Sequence, residues 1–95
     1  MKARLAFHDK AVYPDGDVIE MTIWEVPSPV LGSKHFLKYS LFYGVGNQRI
    51  VGYDNERGKG DHKHIADREE QYQFTSVEQL MADFLSDVAK ERSKK

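Results

Sequence analysis

The chain has 95 residues, 40% of them hydrophobic and 31% charged, with a formal net charge of −1 and no cysteine. This length accommodates one domain and excludes two full domains, a TIM barrel or a pair of Rossmann halves. The lack of cysteine excludes disulfides, thiolate zinc sites and cysteine nucleophiles, and the near-zero charge excludes an overall attraction to nucleic acid. No apolar run has the length of a signal peptide or a membrane span, so we expect a single cytoplasmic domain over residues 1–95 without membrane contact.

The N-terminal part of the chain predicts a β-hairpin over residues 2–26. Leu5 and Phe7 alternate with polar or small neighbours, which is the period of two that is typical of a strand. Residues 13–17 are the turn-forming sequence YPDGD. Residues 18–26 are rich in β-branched and aromatic side chains, as expected for the second strand of the hairpin.

A second hairpin is predicted over residues 36–54. Its two strands alternate aromatic and polar residues, and residues 44–47 supply a glycine-rich connection between them. Residues 55–67 are polar and punctuated by glycine, which predicts a long loop carrying basic residues and histidines. A short fifth strand over about residues 70–74 is also compatible with the pattern.

The clearest element is a C-terminal amphipathic helix over residues 76–92. Thr75 is the expected N-cap, and Glu78 follows it three residues later as in a capping box. Apolar residues then recur at helical spacing and form one stripe, namely Val77, Leu80, Met81, Phe84, Leu85 and Val88. The predicted fold is therefore α+β, an antiparallel sheet of four to five strands built from hairpins, with this helix packed on one face.

Residues 52–64 concentrate the groups that can do chemistry. Gly58 and Gly60 would let the backbone approach a ligand closely. His62 and His64 would point the same way in an extended segment, about 6.5–7 Å apart along the chain. Three cations lie within the same stretch, namely Arg57, Lys59 and Lys63.

Three interpretations of this segment compete. It can be a solvated hairpin loop whose glycines only make turns. It can bind a phosphodiester through glycine amides and cations, with a histidine that moves a proton. It can also hold a metal ion through His62, His64 and a carboxylate such as Asp61 or Asp54, although the nearby cations oppose a divalent ion. A nucleotide P-loop is excluded, because the glycines and Lys59 lack the required spacing.

At this segment the sequence resembles the TumE family of small toxins from bacterial toxin–antitoxin modules. The resemblance extends from about residue 3 to residue 92 and rests on four stretches: Tyr13–Gly16, Ile23–Pro27, Lys38–Tyr43 and Val51–His64. It implies a toxin of a type II module that acts on RNA, and a partner antitoxin with a helix-turn-helix domain that is encoded nearby.

The resemblance implies RNA cleavage, and with the chemistry of the segment it leads us to expect a metal-independent ribonuclease without a cofactor. A 2′-hydroxyl would attack the adjacent phosphate, His62 or His64 would move the proton, and Arg57 and Lys59 would stabilise the developing charge. Tyr53 or Asp54 would orient the histidine. The expected substrate-binding residues are Gly58, Gly60, Lys63 and Lys38.

The rival expectation is a non-catalytic interaction module. Trp24, Lys38 and Phe42 mark a sheet face that could bind a protein or a nucleic acid, although Trp24 and Phe42 could equally form a small hydrophobic cluster. An open edge strand could also bind a partner. The same unpaired edges make a homodimer conceivable.

Overall fold

The computed structural model describes residues 2–95, which form six β-strands followed by one α-helix. The elements are β1 (Arg4–Val12), β2 (Val18–Glu25), β3 (Leu37–Val45), β4 (Gln48–Glu56), β5 (Gly60–Ile65), β6 (Arg68–Gln71) and α1 (Val77–Arg92). The strands make one antiparallel sheet in the order β1-β2-β3-β4-β5-β6, so each pairs with its neighbours in the sequence. The predicted α+β fold is confirmed, with six strands where four to five were expected.

The predicted loop over residues 55–67 is wrong, because most of it is strand. β4 continues to Glu56, a turn follows at residues 57–59, and β5 then runs back along β4. β5 carries ionisable side chains on both faces, so it lacks the alternation of apolar and polar residues by which a strand is predicted. The fifth predicted strand at residues 70–74 corresponds to β6, which lies earlier and ends at Gln71.

α1 covers one face of the sheet. Its residues Leu80, Phe84 and Val88 are buried. They pack against Ile19, Met21, Ile23, Tyr39, Leu41, Tyr43, Val51, Tyr53 and Ile65. Because successive side chains of a strand point to opposite faces, the residues between these point away from the helix. We call this second surface the open face; it includes Trp24, Lys38, Ser40, Phe42, Gly52, Asp54, His62 and His64.

α1 begins one residue later than predicted. The N-cap is Ser76, whose backbone is extended and whose hydroxyl accepts a hydrogen bond from the Gln79 amide at 3.1 Å. The expected N-cap, Thr75, therefore lies outside the helix. Both residues are good N-caps by type, so sequence alone could not choose between them.

The end of α1 is tied to the turn between β1 and β2. The buried Asp17 carboxylate accepts hydrogen bonds from the Tyr43 hydroxyl at 2.5 Å and from the Arg92 guanidinium at 2.8 Å. Next to it, Lys95 lies 3.0 Å from Asp15, and this contact lowers the pKa of Asp15 to about 2. These contacts hold the helix in place over the core.

β1 is exposed along its whole length, because it pairs only with β2 and receives no cover from the helix. Its outer edge is therefore unpaired. No helix among residues 2–95 is both long enough and apolar enough to cross a membrane.

Candidate functional site

The open face brings a carboxylate and two histidines together at β4 and β5. In the register of these strands Asp54 is opposite His62, and Gly52 is opposite His64. His62 is only 3% exposed although no helix covers this face. The cluster thus joins two residues of β5 to one residue of the neighbouring strand.

His62 is held on both sides of its ring. Its Nδ1 atom donates a hydrogen bond to the Gly60 carbonyl at 3.0 Å. Its Nε2 atom lies 2.5 Å from Asp54 Oδ1, although neither atom has an aligned hydrogen-bond partner and both are buried. The two atoms therefore lie close together without an aligned hydrogen bond.

His64 is the more accessible histidine of the cluster. Its ring is 5.1 Å from that of His62, centre to centre, at an interplanar angle of 79°. Its Nε2 atom lies 3.3 Å from Glu69 Oε2. Burial lowers the pKa of His64, and the charges of Arg49 and His62 lower it further, against the opposing effect of Glu69. Because the usual pKa is already about 6.5, His64 is neutral at pH 7 and can accept a proton.

Arg49 also belongs to this site and was not predicted from the sequence. A Cβ atom at position 52 would come within 2.7 Å of Arg49 Cδ, so the arginine side chain lies across Gly52. A glycine inside a strand often marks such a close approach. That glycine was the signal from which Arg49 could have been found.

Lys59 approaches the cluster from the turn between β4 and β5. Its Nζ atom is 4.0 Å from Glu69 Oε1, so Lys59 and His64 share one carboxylate. A cavity of about 260 Å³ opens beside them, lined by Lys59, His62, Glu69, Glu70 and Gln71. Glu69 is the second residue here that was not predicted.

Asp54, His62 and His64 are also suited to hold a metal ion. Each offers one ligand atom, and these atoms all lie within 4.8 Å of one another. Two imidazoles and a carboxylate are a common ligand set for zinc and for other divalent transition metals. The alternative carboxylate, Asp61, does not join this set, because β5 turns it to the opposite face.

Asp61 instead organises a second polar cluster beside the core. Its carboxylate accepts hydrogen bonds from Ser33 at 2.6 Å, from Tyr39 at 2.7 Å and from His35 at 2.7 Å. Burial alone would raise the pKa of Asp61, but these three donors lower it overall. The carboxylate is thus committed to contacts within the protein.

Tyr53 and Lys63 lie on the helix side of the sheet, away from the histidines. The Tyr53 hydroxyl donates to Asp87 of α1, and burial together with this bond raises the pKa of the tyrosine. Lys63 lies 3.3 Å from the same Asp87 and 3.4 Å from Glu70. Of the two residues expected to orient a histidine, only Asp54 contacts one.

The two expected glycines, Gly58 and Gly60, make close backbone contacts within the protein. The Gly58 amide donates to the Leu31 carbonyl at 2.6 Å. Gly60 crosses Gly32 so closely that a Cβ atom on Gly60 would lie 2.7 Å from the Gly32 carbonyl oxygen. These glycines therefore allow two backbone segments to pack closely together. Because the Gly58 amide already donates a hydrogen bond, it is not free to bind a phosphate.

The remaining expected cations differ in position. Arg57 is exposed in the turn between β4 and β5. Lys38 is opposite Trp24 on the open face, and it is two residues before Ser40, which is opposite Asp54. Lys38 therefore shares a surface with the histidine cluster, while Arg57 lies at the end of the two strands that carry it.

Comparison with known proteins finds one family. Residues 2–92 match the family described as Toxin TumE, and this match covers nearly the whole chain. No curated protein and no solved structure matches the chain.

Proposed function

The chain belongs to the TumE toxin family, and from this membership and the open-face cluster we propose that it cleaves RNA by acid–base catalysis without a metal ion. The observation that carries the proposal is the meeting of Asp54, His62 and His64 at one point of the sheet, where His62 is buried and the other two are partly exposed. Two ionisable groups in different environments can serve as the base and the acid of one reaction.

The proposed base is His64, which is neutral at pH 7 because burial and the Arg49 charge lower its pKa. It takes the proton of a ribose 2′-hydroxyl while the 2′ oxygen forms a bond to the adjacent phosphorus. The bond from phosphorus to the 5′ oxygen then breaks. The Asp54–His62 pair supplies the proton that this leaving oxygen needs, so that atoms and charges balance.

The cations near the cluster support the same reaction. Arg49 lies on the open face beside His64, and Lys59 borders the cavity at His62. Positive groups at this position stabilise the charge that develops on the phosphorane oxygens. Arg57 is a further candidate to contact the RNA backbone, because it is exposed in the turn between β4 and β5.

The test is cleavage of RNA by the purified chain in the presence of EDTA. We expect wild-type protein to give defined fragments, and the double variant His62→Ala, His64→Ala to lose about 10²–10⁴-fold in rate. His8→Ala is the matched control. His8 also contacts a carboxylate, that of Glu20 at 3.0 Å, but it lies on β1, away from the cluster. Circular dichroism confirms that each variant is folded.

If the double variant cleaves RNA as fast as wild type, the proposal that these histidines are catalytic is wrong. Cleavage that disappears with EDTA and returns with a divalent ion would assign the same three residues to a metal-dependent enzyme. Loss of cleavage in the His8→Ala variant as well would show that the effect is not specific to the histidine cluster.

A non-catalytic binding function is the second candidate. Trp24 is 37% exposed and Leu5, its partner on β1, is 49% exposed, so an apolar patch lies on the uncovered side of the hairpin. Lys38 and Phe42 extend this patch towards Asp54. Wild-type protein that binds RNA or a partner protein but gives no fragments would favour this function.

Family membership also supports an antitoxin partner. We propose that it is a helix-turn-helix protein encoded nearby, and that it covers the open face from Trp24 to the histidine cluster. Co-expression followed by copurification tests the pairing, and Trp24→Ala should weaken it. The unpaired edge of β1 could instead join two copies of the chain as a homodimer. Sedimentation analysis would detect this dimer.

A further inference from the structure

A larger cavity lies at the end of the sheet, next to the proposed site. Its volume is about 540 Å³, and it is lined by Gly32, Lys34, His35, Asp61, Gln71, Gln73 and Phe74. This volume is within the range that small organic ligands occupy. None of the side chains that line it was predicted to bind RNA, and the cleavage mechanism does not use them.

The inner wall of this cavity is rigid. The carboxylate of Asp61 is fixed by Ser33, His35 and Tyr39. His35 also lies against Phe74, with ring centres 4.0 Å apart, and it accepts a hydrogen bond from the Leu37 amide. A preformed aromatic wall costs little conformational entropy when a flat ligand contacts it.

The outer rim offers groups that recognise nucleotides. Lys34 is exposed and contributes a positive charge, while Gln71 and Gln73 are exposed amides that can both donate and accept. A cation suits a phosphate, amides suit the edges of an unpaired base, and aromatic rings suit its face. The one carboxylate in the wall already receives three hydrogen bonds, which reduces its repulsion of an anion.

Gln71 connects this cavity to the cleavage site. It is opposite His62 in the pairing of β5 with β6, and it lines both the larger cavity and the smaller one at His62. β6 ends at this residue, so a bound chain can pass around the end of the strand from one cavity to the other.

We propose that the larger cavity binds a further nucleotide, next to the two that the cleaved phosphodiester joins. Lys34 contacts its phosphate, Gln71 and Gln73 contact its base or ribose, and the wall of His35 and Phe74 faces the ring. The inference rests on the proposed function, because it takes RNA as the substrate and the histidine cluster as the point of cleavage.

The first experiment measures binding without cleavage. Fluorescence anisotropy follows a 2′-O-methyl RNA of roughly eight nucleotides at several salt concentrations. Lys34→Gln should lower the slope of log affinity against log salt by about 0.7, the value for one phosphate contact on a single strand. Gln73→Ala should weaken binding several-fold with an unchanged slope. Lys10→Gln on β1 is the charge-matched control, and it should change neither quantity.

The second experiment compares cleavage of two substrates, a dinucleoside monophosphate and the corresponding longer RNA. We expect Lys34→Gln and Gln73→Ala to raise KM for the longer RNA several-fold. Cleavage of the dinucleotide should not change, because it has no third nucleotide to place in the cavity.

The two hypotheses fail in different ways. If Lys34→Gln and Gln73→Ala bind RNA like the Lys10→Gln control, or if wild type does not bind the oligonucleotide, the inference is overturned whatever the cleavage activity. If binding depends on Lys34 and Gln73 but no RNA is cleaved, the ribonuclease proposal fails and the cavity remains an RNA-binding site.

Discussion

Arg49 lies across Gly52, and a Cβ atom at position 52 would come within 2.7 Å of the Arg49 Cδ atom. The missing side chain at this position lets the guanidinium rest on the open face next to His64. Its charge is one of the causes that lower the pKa of His64. One glycine therefore determines how an arginine tunes a histidine on the adjacent strand.

We predict that Gly52→Ala displaces Arg49 and raises the pKa of His64. Arg49→Gln should shift the pKa in the same direction, since it removes the positive charge, whereas Glu69→Gln should lower the pKa because Glu69 opposes the shift. NMR titration of the His64 ring measures each change. If His64 is the base, a higher pKa moves the acidic limb of the rate profile to higher pH. An unchanged pKa in Arg49→Gln would contradict this account.

Metal ions provide a second test of the cluster. EDTA should leave RNA cleavage unchanged, since the proposed reaction uses no metal ion. Added Zn²⁺ should inhibit it, because Asp54, His62 and His64 form a ligand set that the ion can occupy. Initial rates over a Zn²⁺ series check this. His64→Gln should reduce Zn²⁺ affinity in calorimetry, whereas His8→Gln should not. Stimulation by Zn²⁺ would be the opposite result.

A core substitution should destabilise the domain strongly. Phe84 is fully buried between α1 and the sheet, and Phe84→Ala should lower the free energy of unfolding by about 3–5 kcal/mol through loss of burial and formation of a cavity. Leu85→Ala is the matched control on the same helix. Leu85 is 43% exposed, so its truncation should cost about 1 kcal/mol. Urea titration compares the two, and equal losses would contradict the assigned helix face.

Gly58 and Gly60 should differ in a way that tests their structural role. Both have positive φ angles, +86° and +74°, so alanine at either position should cost about 1–2 kcal/mol in strain. A Cβ atom at Gly60 would also meet the Gly32 carbonyl oxygen at 2.7 Å, whereas one at Gly58 would meet nothing within 4 Å. Gly60→Ala should therefore be the less stable variant in urea titration.

The same pair also tests whether glycine binds RNA. Gly58→Ala should keep wild-type affinity for RNA, since its amide already donates to Leu31. A large loss of RNA affinity in a folded Gly58→Ala variant would show instead that Gly58 contributes to RNA binding.

The hairpins and the helix could be predicted because their apolar residues follow a simple period. The helical stripe correctly identified Leu80, Phe84 and Val88 as buried, but it wrongly included Leu85, which is 43% exposed. β5 could not be predicted in this way, because a strand that carries ionisable groups on both faces gives no alternation of apolar and polar residues. The segment with the most chemistry was therefore the segment whose structure was hardest to predict.

The composition of the site was only partly visible in the sequence. The spacing of His62 and His64 indicated one shared face, but pairing between strands decided that Asp54 joins them and that Asp61 does not. Arg49 was hidden for a further reason, since an irregularity in the pairing of β3 with β4 occurs between Tyr43 and Gly44, close to it. The polar cluster around Asp61 depends on contacts between distant parts of the chain, which no local pattern reveals.

The order of the sheet has a consequence for how the protein folds. Each strand pairs with the next one along the chain, so the sheet can grow step by step through contacts that are local in the sequence, which favours rapid folding. The helix that covers the hydrophobic face comes after all six strands. During synthesis the histidine cluster can assemble before that face is covered, and the exposed core is then the part most open to aggregation.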